Sequence, residues 1–163
     1  MSRFVLMLAI VLLSAGGARA DSGPASLQVR IENISPQGGV LRLGLYTEQT
    51  YYNDNAEPVA ALDVPADAPA GEFEFAAVPP GTYAVQVLQD LNGDGKMDFS
   101  VVGLPLKPYG FSRDATPYLG KPEFARVKIT LAAGRNSATI RLQNSDARGT
   151  RAAKNRKAAG RQS

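Results

Sequence analysis

Glu72-Phe73-Glu74-Phe75-Ala76-Ala77-Val78-Pro79-Pro80-Gly81-Thr82-Tyr83-Ala84-Val85-Gln86-Val87 is the stretch that decides the fold class of this 163-residue chain. Phe73 and Phe75 alternate with Glu72 and Glu74, and Tyr83, Val85 and Val87 alternate with Thr82, Ala84 and Gln86. A period of two places alternate side chains on opposite faces of a strand, one apolar and one wet. Pro79-Pro80-Gly81 between the two runs is a turn, because proline presets φ and glycine accepts the conformations that other residues avoid. Two adjacent strands with one apolar face each need a second apolar layer to cover them.

Moving outward, the same period recurs. Leu27, Val29 and Ile31 alternate with Gln28, Arg30 and Glu32, and Leu41, Leu43 and Leu45 alternate with Arg42 and Gly44 after the turn Ser35-Pro36-Gln37-Gly38-Gly39. Residues 59–64 form a weaker strand ending at Pro65, and 99–102 is a short β-prone run. Val127, Ile129 and Leu131 precede a Gly/Asn turn, after which Ala138, Ile140 and Leu142 are expected to complete a terminal hairpin. No segment sustains a helical period, although 48–55 is compatible with a single turn. The expectation is all-β: an antiparallel β-sandwich of about seven strands, immunoglobulin-like or prealbumin-like, spanning residues 21–144.

The two ends read differently. Arg3 precedes an apolar run over 4–13, and Ala18-Arg19-Ala20 has the small-x-small pattern of a signal-peptidase site, so 1–20 is expected to be a cleavable signal peptide with Asp21 as the new terminus. The run is about half the roughly 20 apolar residues that span a bilayer, and no later stretch qualifies as a transmembrane segment. The expected location is therefore periplasmic or secreted. Residues 145–163 carry Arg148, Arg151, Lys154, Arg156, Lys157 and Arg161 with little apolar bulk, and are expected to be a disordered basic tail. Residues 21–146 hold 10 basic and 15 acidic groups, so the basic isoelectric point belongs to the ends and argues for no nucleic-acid partner. The tail allows a weak contact with an anionic surface. No Cys and no His are present, which removes disulfides, thiolate nucleophiles and the commonest general base, and leaves only hard cations as plausible metals.

One motif carries chemistry. Asp90-Leu91-Asn92-Gly93-Asp94-Gly95-Lys96-Met97-Asp98 reads D-x-N-x-D-G-x-x-D. Calcium takes six to eight hard oxygens at about 2.4 Å, and oxygen donors at positions 1, 3 and 5 wrap one ion while a glycine at 6 turns the carbonyl of 7 inward. Those roles fall to Asp90, Asn92, Asp94, the Lys96 carbonyl and Asp98, and calcium is the expected structural cofactor. Position 12, a bidentate Glu in an EF-hand, is Val101 here. A distant carboxylate would have to complete the set, with Asp54, Glu57, Asp114 and Glu123 as candidates. Turn formation alone would also select Asx and Gly residues, but three carboxylates within nine residues repel one another without a cation.

Residues 103–123 are long for a connection and rich in proline and aromatics. Tyr109, Phe111 and Tyr118 form a possible ligand face, or else they lid one end of the sandwich. Glu72 and Glu74 share a strand face, which reads as a solvated face rather than as an acid/base pair. No nucleophile elbow is present.

In order along the chain, Val78-Pro79-Pro80-Gly81-Thr82-Tyr83-Ala84-Val85, Gln89 to Asp98, Gly103-Leu104-Pro105 and Tyr109-Gly110-Phe111-Ser112 resemble the secreted bacterial family known as domain of unknown function 2141. Gly39-Val40-Leu41-Arg42-Leu43-Gly44-Leu45-Tyr46 fits its first hairpin, and the likeness covers roughly 27–142. The resemblance implies an exported β-sandwich, similar in its strand-to-loop arrangement to transthyretin-like and carboxypeptidase-regulatory-like accessory modules, and it implies no activity. The expected function is thus an exported, non-catalytic, calcium-stabilised binding or accessory module of the cell envelope, monomeric, whose partner is a glycan or a protein. The alternatives are a structural or interaction domain docking through its basic tail and, more remotely, a hydrolase.

Overall fold

The computed structural model of the chain describes residues 23–117 and 120–144. The signal peptide and the basic tail expected at the two ends lie outside the described residues.

Eight strands form two facing sheets among these residues. In the first sheet β1 (Ala25–Glu32) is central, flanked by β4 (Ala70–Val78) and β8 (Gly134–Arg141). The second runs β3 (Ala60–Pro65), β2 (Val40–Tyr46), β5 (Gly81–Asp90), β6 (Tyr109–Phe111), and β7 (Ile129–Leu131) pairs with the start of β5. The period of two holds in space. Leu27, Val29 and Ile31 of β1 and Leu41, Leu43 and Leu45 of β2 are buried between the sheets with Phe75, Val85, Val87, Ile140 and Leu142. On the outer face of the first sheet Arg30 and Gln28 reach Glu72, each at 3.1 Å, a solvated ladder as the alternation implies.

Three expectations are corrected. Residues 129–131 and 134–141 make no hairpin: β7 pairs with β5 and β8 runs parallel to β1, with Val29 opposite Ala138 and Ile31 opposite Ile140. The chain changes sheets at Ala132-Ala133, where Gly134 takes φ +86°. There the Asn136 amide accepts from Ala132 N at 3.1 Å and donates to the Ala132, Gly134 and Ser26 carbonyls at 2.8, 3.1 and 3.1 Å. The sandwich is therefore not wholly antiparallel. Arg126 and Val127 fall in a helical turn, α2 (Phe124–Val127), not in a strand. Residues 99–102 join neither sheet, and their one β pairing is the isolated bridge between Phe99 and Pro105. The turn expected near 48 is α1 (Glu48–Tyr51), capped by Thr47.

Between β6 and β7 the chain covers the outer face of the second sheet. Tyr51, Ala84, Tyr109, Phe111, Ala115, Phe124 and Val127 form a second buried cluster there. Tyr51 donates from its hydroxyl to Pro122 O at 2.8 Å, and Ser112 Oγ accepts from Val85 N at 3.0 Å. Gly110 faces inward on β6, where a Cβ would overlap Ile140 Cγ2. Tyr109 and Gln143 exchange backbone hydrogen bonds at 3.1 and 2.7 Å, which joins the two sheets along that edge.

Candidate functional site

β5 carries two polar side chains at its end, and the strand alternation sends them to opposite faces. Gln89 points between the sheets and is fully buried. Its amide accepts from Ser35 N at 2.8 Å and donates to the Ser35 and Gly38 carbonyls at 2.9 and 2.7 Å. One side chain thus satisfies the turn that carries the chain from the first sheet to the second, at the place where a hydrocarbon would leave buried backbone groups unpaired.

Asp90 points outward and is also fully buried. Its Oδ1 accepts from Gly93 N at 3.1 Å and from Lys107 Nζ at 3.0 Å, and its Oδ2 from Gly95 N at 2.7 Å and Arg42 Nε at 2.9 Å. Gly93 and Gly95 adopt φ of +76° and +73°, so both amides turn in toward the carboxylate. Asn92 and Asp94 repeat the device one step on: Asn92 Oδ1 accepts from Asp94 N at 3.4 Å, and Asp94 Oδ1 from Lys96 N at 2.9 Å. Arg42 stands two residues along β2 from Val40, the partner of Asp90, and also pairs with Asp63 on β3.

The five ligands expected for calcium do converge on one point, and that point is the ammonium of Lys107. Nζ lies 3.0 Å from Asp90 Oδ1, 2.5 Å from Asn92 Oδ1, 2.5 Å from Asp94 Oδ1, 2.7 Å from the Lys96 carbonyl and 3.3 Å from Asp98 Oδ2. The lysine is 2 % exposed. Two backbone bonds bring it there: Gln89 N donates to Pro108 O, and Leu106 N to Asp98 O, both at 2.8 Å.

Of the four distant carboxylates, Asp54 pairs with Lys121 and Asp114 accepts from Arg141 N, while Glu123 stands at the start of α2 without a side-chain cap bond. Val101, at position 12, is fully exposed. Tyr109 and Phe111 are not a ligand face. They alternate outward on β6 but are covered by the segments that pack on that sheet, leaving 6 and 9 % exposed. Tyr118 lies outside the described residues. An open groove of about 520 Å³ lies at the opposite end of β5, lined by Thr47, Glu48, Thr82, Phe124 and Lys128 among others.

The ionisation of the site follows from these contacts. Burial raises the Asp90 carboxyl, but hydrogen bonds from Lys107, Gly95 N and Arg42 outweigh it and hold the group well below the usual carboxylate range. Burial lowers Lys107, and its bonds to Asp94, Asp90 and Asp98 outweigh that, holding it above an ordinary lysine. A carboxyl lowered by folding stabilises fully above its unfolded value, 3.8 for Asp, and loses that stabilisation as pH falls toward the folded value. An ammonium raised by folding stabilises fully below 10.5 and loses it as pH rises through the folded value. The pair is therefore expected to add a pH-independent stability across the neutral range, with losses only at the two extremes. Melting curves from strongly acid to strongly alkaline buffer check this, and a maximum confined to a narrow neutral window would contradict it.

Sandwich and loop together define an all-β, two-sheet domain whose one end is locked by a buried lysine inside an acidic turn. The match of a family model to residues 29–139, from β1 into β8, makes the assignment: the chain belongs to the bacterial family described as "Uncharacterized protein conserved in bacteria (DUF2141)". No curated protein and no solved structure matches it. Among the described residues no helix is long and apolar enough to cross a membrane.

Proposed function

We propose that the protein is an exported, non-catalytic binding or accessory module of the cell envelope that presents an apolar hairpin tip to a protein partner. The observation that carries this reading is the segment 99–106. Phe99, Val101, Val102, Leu104 and Leu106 are all large apolar side chains that stand exposed, Val102 at 75 %. The tip is nonetheless ordered from within: Ser100 N donates to Leu104 O and Gly103 N to Ser100 O, both at 2.8 Å, and Ser100 Oγ accepts from Leu104 N at 3.1 Å. Contiguous exposed apolar side chains on a rigidly held loop mark interaction sites more often than single exposed residues do. Four of the five exposed side chains are aliphatic and suit an apolar protein surface, whereas a sugar face draws on flat aromatic rings, of which the tip offers Phe99 alone. Export rests on the signal pattern of residues 1–20.

A calcium-stabilised version of the same module draws on one observation, the convergence of Asp90, Asn92, Asp94, Lys96 and Asp98 on a single point. In that version Lys107 has to leave the loop when the ion enters.

The test is a photo-crosslinking residue at position 102 in intact cells, with exposed Glu74 on β4 as the control position. A discrete protein adduct from 102, absent from 74 and lost in Val101→Asp, supports the proposal. Val101→Asp should change stability by no more than about 0.5 kcal/mol, as at any exposed site. Equal labelling from both positions, or none, would remove the tip as a binding element. A glycan and peptidoglycan binding screen of the purified domain covers the sugar alternative.

A further inference from the structure

We propose that Lys107 is the resident cation of the 90–98 loop: its tethered ammonium takes the place that calcium takes in loops of this spacing, so the domain is complete without a metal and becomes a calcium protein only when that ammonium is removed.

The coordination is unlike that of a surface ion pair. An ammonium has three protons to donate, yet here five oxygens lie within 3.3 Å of Nζ. Two of the five are neutral, the Asn92 amide oxygen and the Lys96 carbonyl. Charge attraction alone does not select such oxygens, but a cation centre built from alternate residues collects them. The donors come from positions 1, 3, 5, 7 and 9 of one short loop, and Lys107 reaches them from outside it. At 2 % exposure, a lysine carries a large desolvation cost that only multiple charged and dipolar partners offset.

The ammonium already offsets part of the loop's negative charge. Asp90, Asp94 and Asp98 bring three negative charges, and Lys107 and Arg42 bring two positive charges on opposite sides of Asp90. These five groups leave a net charge of −1 with no added ion, where the three carboxylates and Arg42 alone would carry −2. A divalent ion at the same point would overlap Nζ, so ion and ammonium exclude one another. The lysine also supplies what an EF-like loop lacking a twelfth ligand does not have, a link between the loop and a remote part of the chain. Through the next residue, Pro108, whose carbonyl accepts from Gln89 N, it fastens the return of the 99–106 hairpin to the end of β5. This assignment stands whether or not that hairpin binds a partner.

The mature chain and its Lys107→Gln variant decide the matter. The unmodified chain is expected to melt at the same temperature in chelator and in millimolar calcium, to give no calorimetric heat with calcium, and to show a slowly exchanging lysine ammonium resonance that calcium does not move. Lys107→Gln should melt lower in chelator and bind one calcium. Its melting point should then rise by about 10 °C at an ion concentration about a hundred times its dissociation constant. If the variant does not fold in chelator, recovery of its β-sheet circular dichroism on adding calcium supports the proposal, and failure to recover overturns it. A calcium-dependent melting shift or a displaced ammonium signal in the unmodified chain overturns it, as does a folded Lys107→Gln that ignores calcium.

Discussion

Asp90→Ala is expected to lower the melting temperature by roughly 10–20 °C, an effect as large as truncating a buried core side chain. The carboxylate is fully buried and accepts four hydrogen bonds, two from cations and two from backbone amides. Its loss strips Lys107 of a buried partner and leaves the Gly93 and Gly95 amides pointing into an empty space. Removing one member of a buried ion pair costs about 3–5 kcal/mol because the surviving charge remains desolvated. Against a total stability of about 5–15 kcal/mol, that is a large share. Asp94→Ala is the comparison, since its side chain is 41 % exposed and water replaces much of what it loses; its effect should be well under half as large. Thermal melts of both variants in chelator check the ranking. Equal and small effects would mean that the loop is merely a solvated turn.

Gln89→Leu is the second. The substitution nearly conserves volume and places hydrocarbon in an otherwise apolar layer, so a simple hydropathy argument expects stabilisation. The structure reverses the sign. Ser35 N, Ser35 O and Gly38 O all lose their partner at the turn between β1 and β2, and each buried group left unpaired costs about 1–3 kcal/mol. Allowing for access of water to the turn, a loss of about 3 kcal/mol is expected in denaturant unfolding. Gln89→Glu, which keeps an acceptor for Ser35 N but sets a charge against two carbonyls, should be at least as damaging. A neutral or stabilising Gln89→Leu would show that the turn does not depend on this amide.

Both variants sit at the end of one strand, and they differ in how legible they were. The acidic loop announces itself in sequence because its chemistry is local: Asp, Asn and Gly at alternate positions bend a chain toward its own oxygens whatever lies around it. The five oxygens read from spacing do meet at a point. The occupant of that point was not read, because Lys107 is brought to it by backbone pairing at Gln89 and Asp98, not by any local pattern. A signal was nevertheless present. Lys107 is the one charged residue between Asp98 and Arg113, alone in an apolar, proline-rich run and just beyond three clustered carboxylates. A lone charge in such a run has to find partners or stay in water, and a neighbouring excess of the opposite sign is where to look.

The same division explains the fold. Alternation over 27–32, 40–46, 72–78 and 82–89 determined the strands and their buried faces, since side-chain direction in a strand depends only on the parity of position. It could not determine partners. Val127-to-Leu131 and Ala138-to-Leu142 have the pattern of a hairpin, but burying Ile140 opposite Ile31 and covering the β5 edge at Gly81–Tyr83 together favour sending the two strands to different sheets. Tyr109 and Phe111 likewise looked available as loop aromatics and instead lie on an outer sheet face that other segments cover. By itself, then, the sequence determined which residues face a core and which oxygens gather in a turn, because both are set within a few residues of chain. Only the tertiary structure decided which strands pair, which rings are covered and which cation the turn encloses, because each depends on what distant segments bring to the same place.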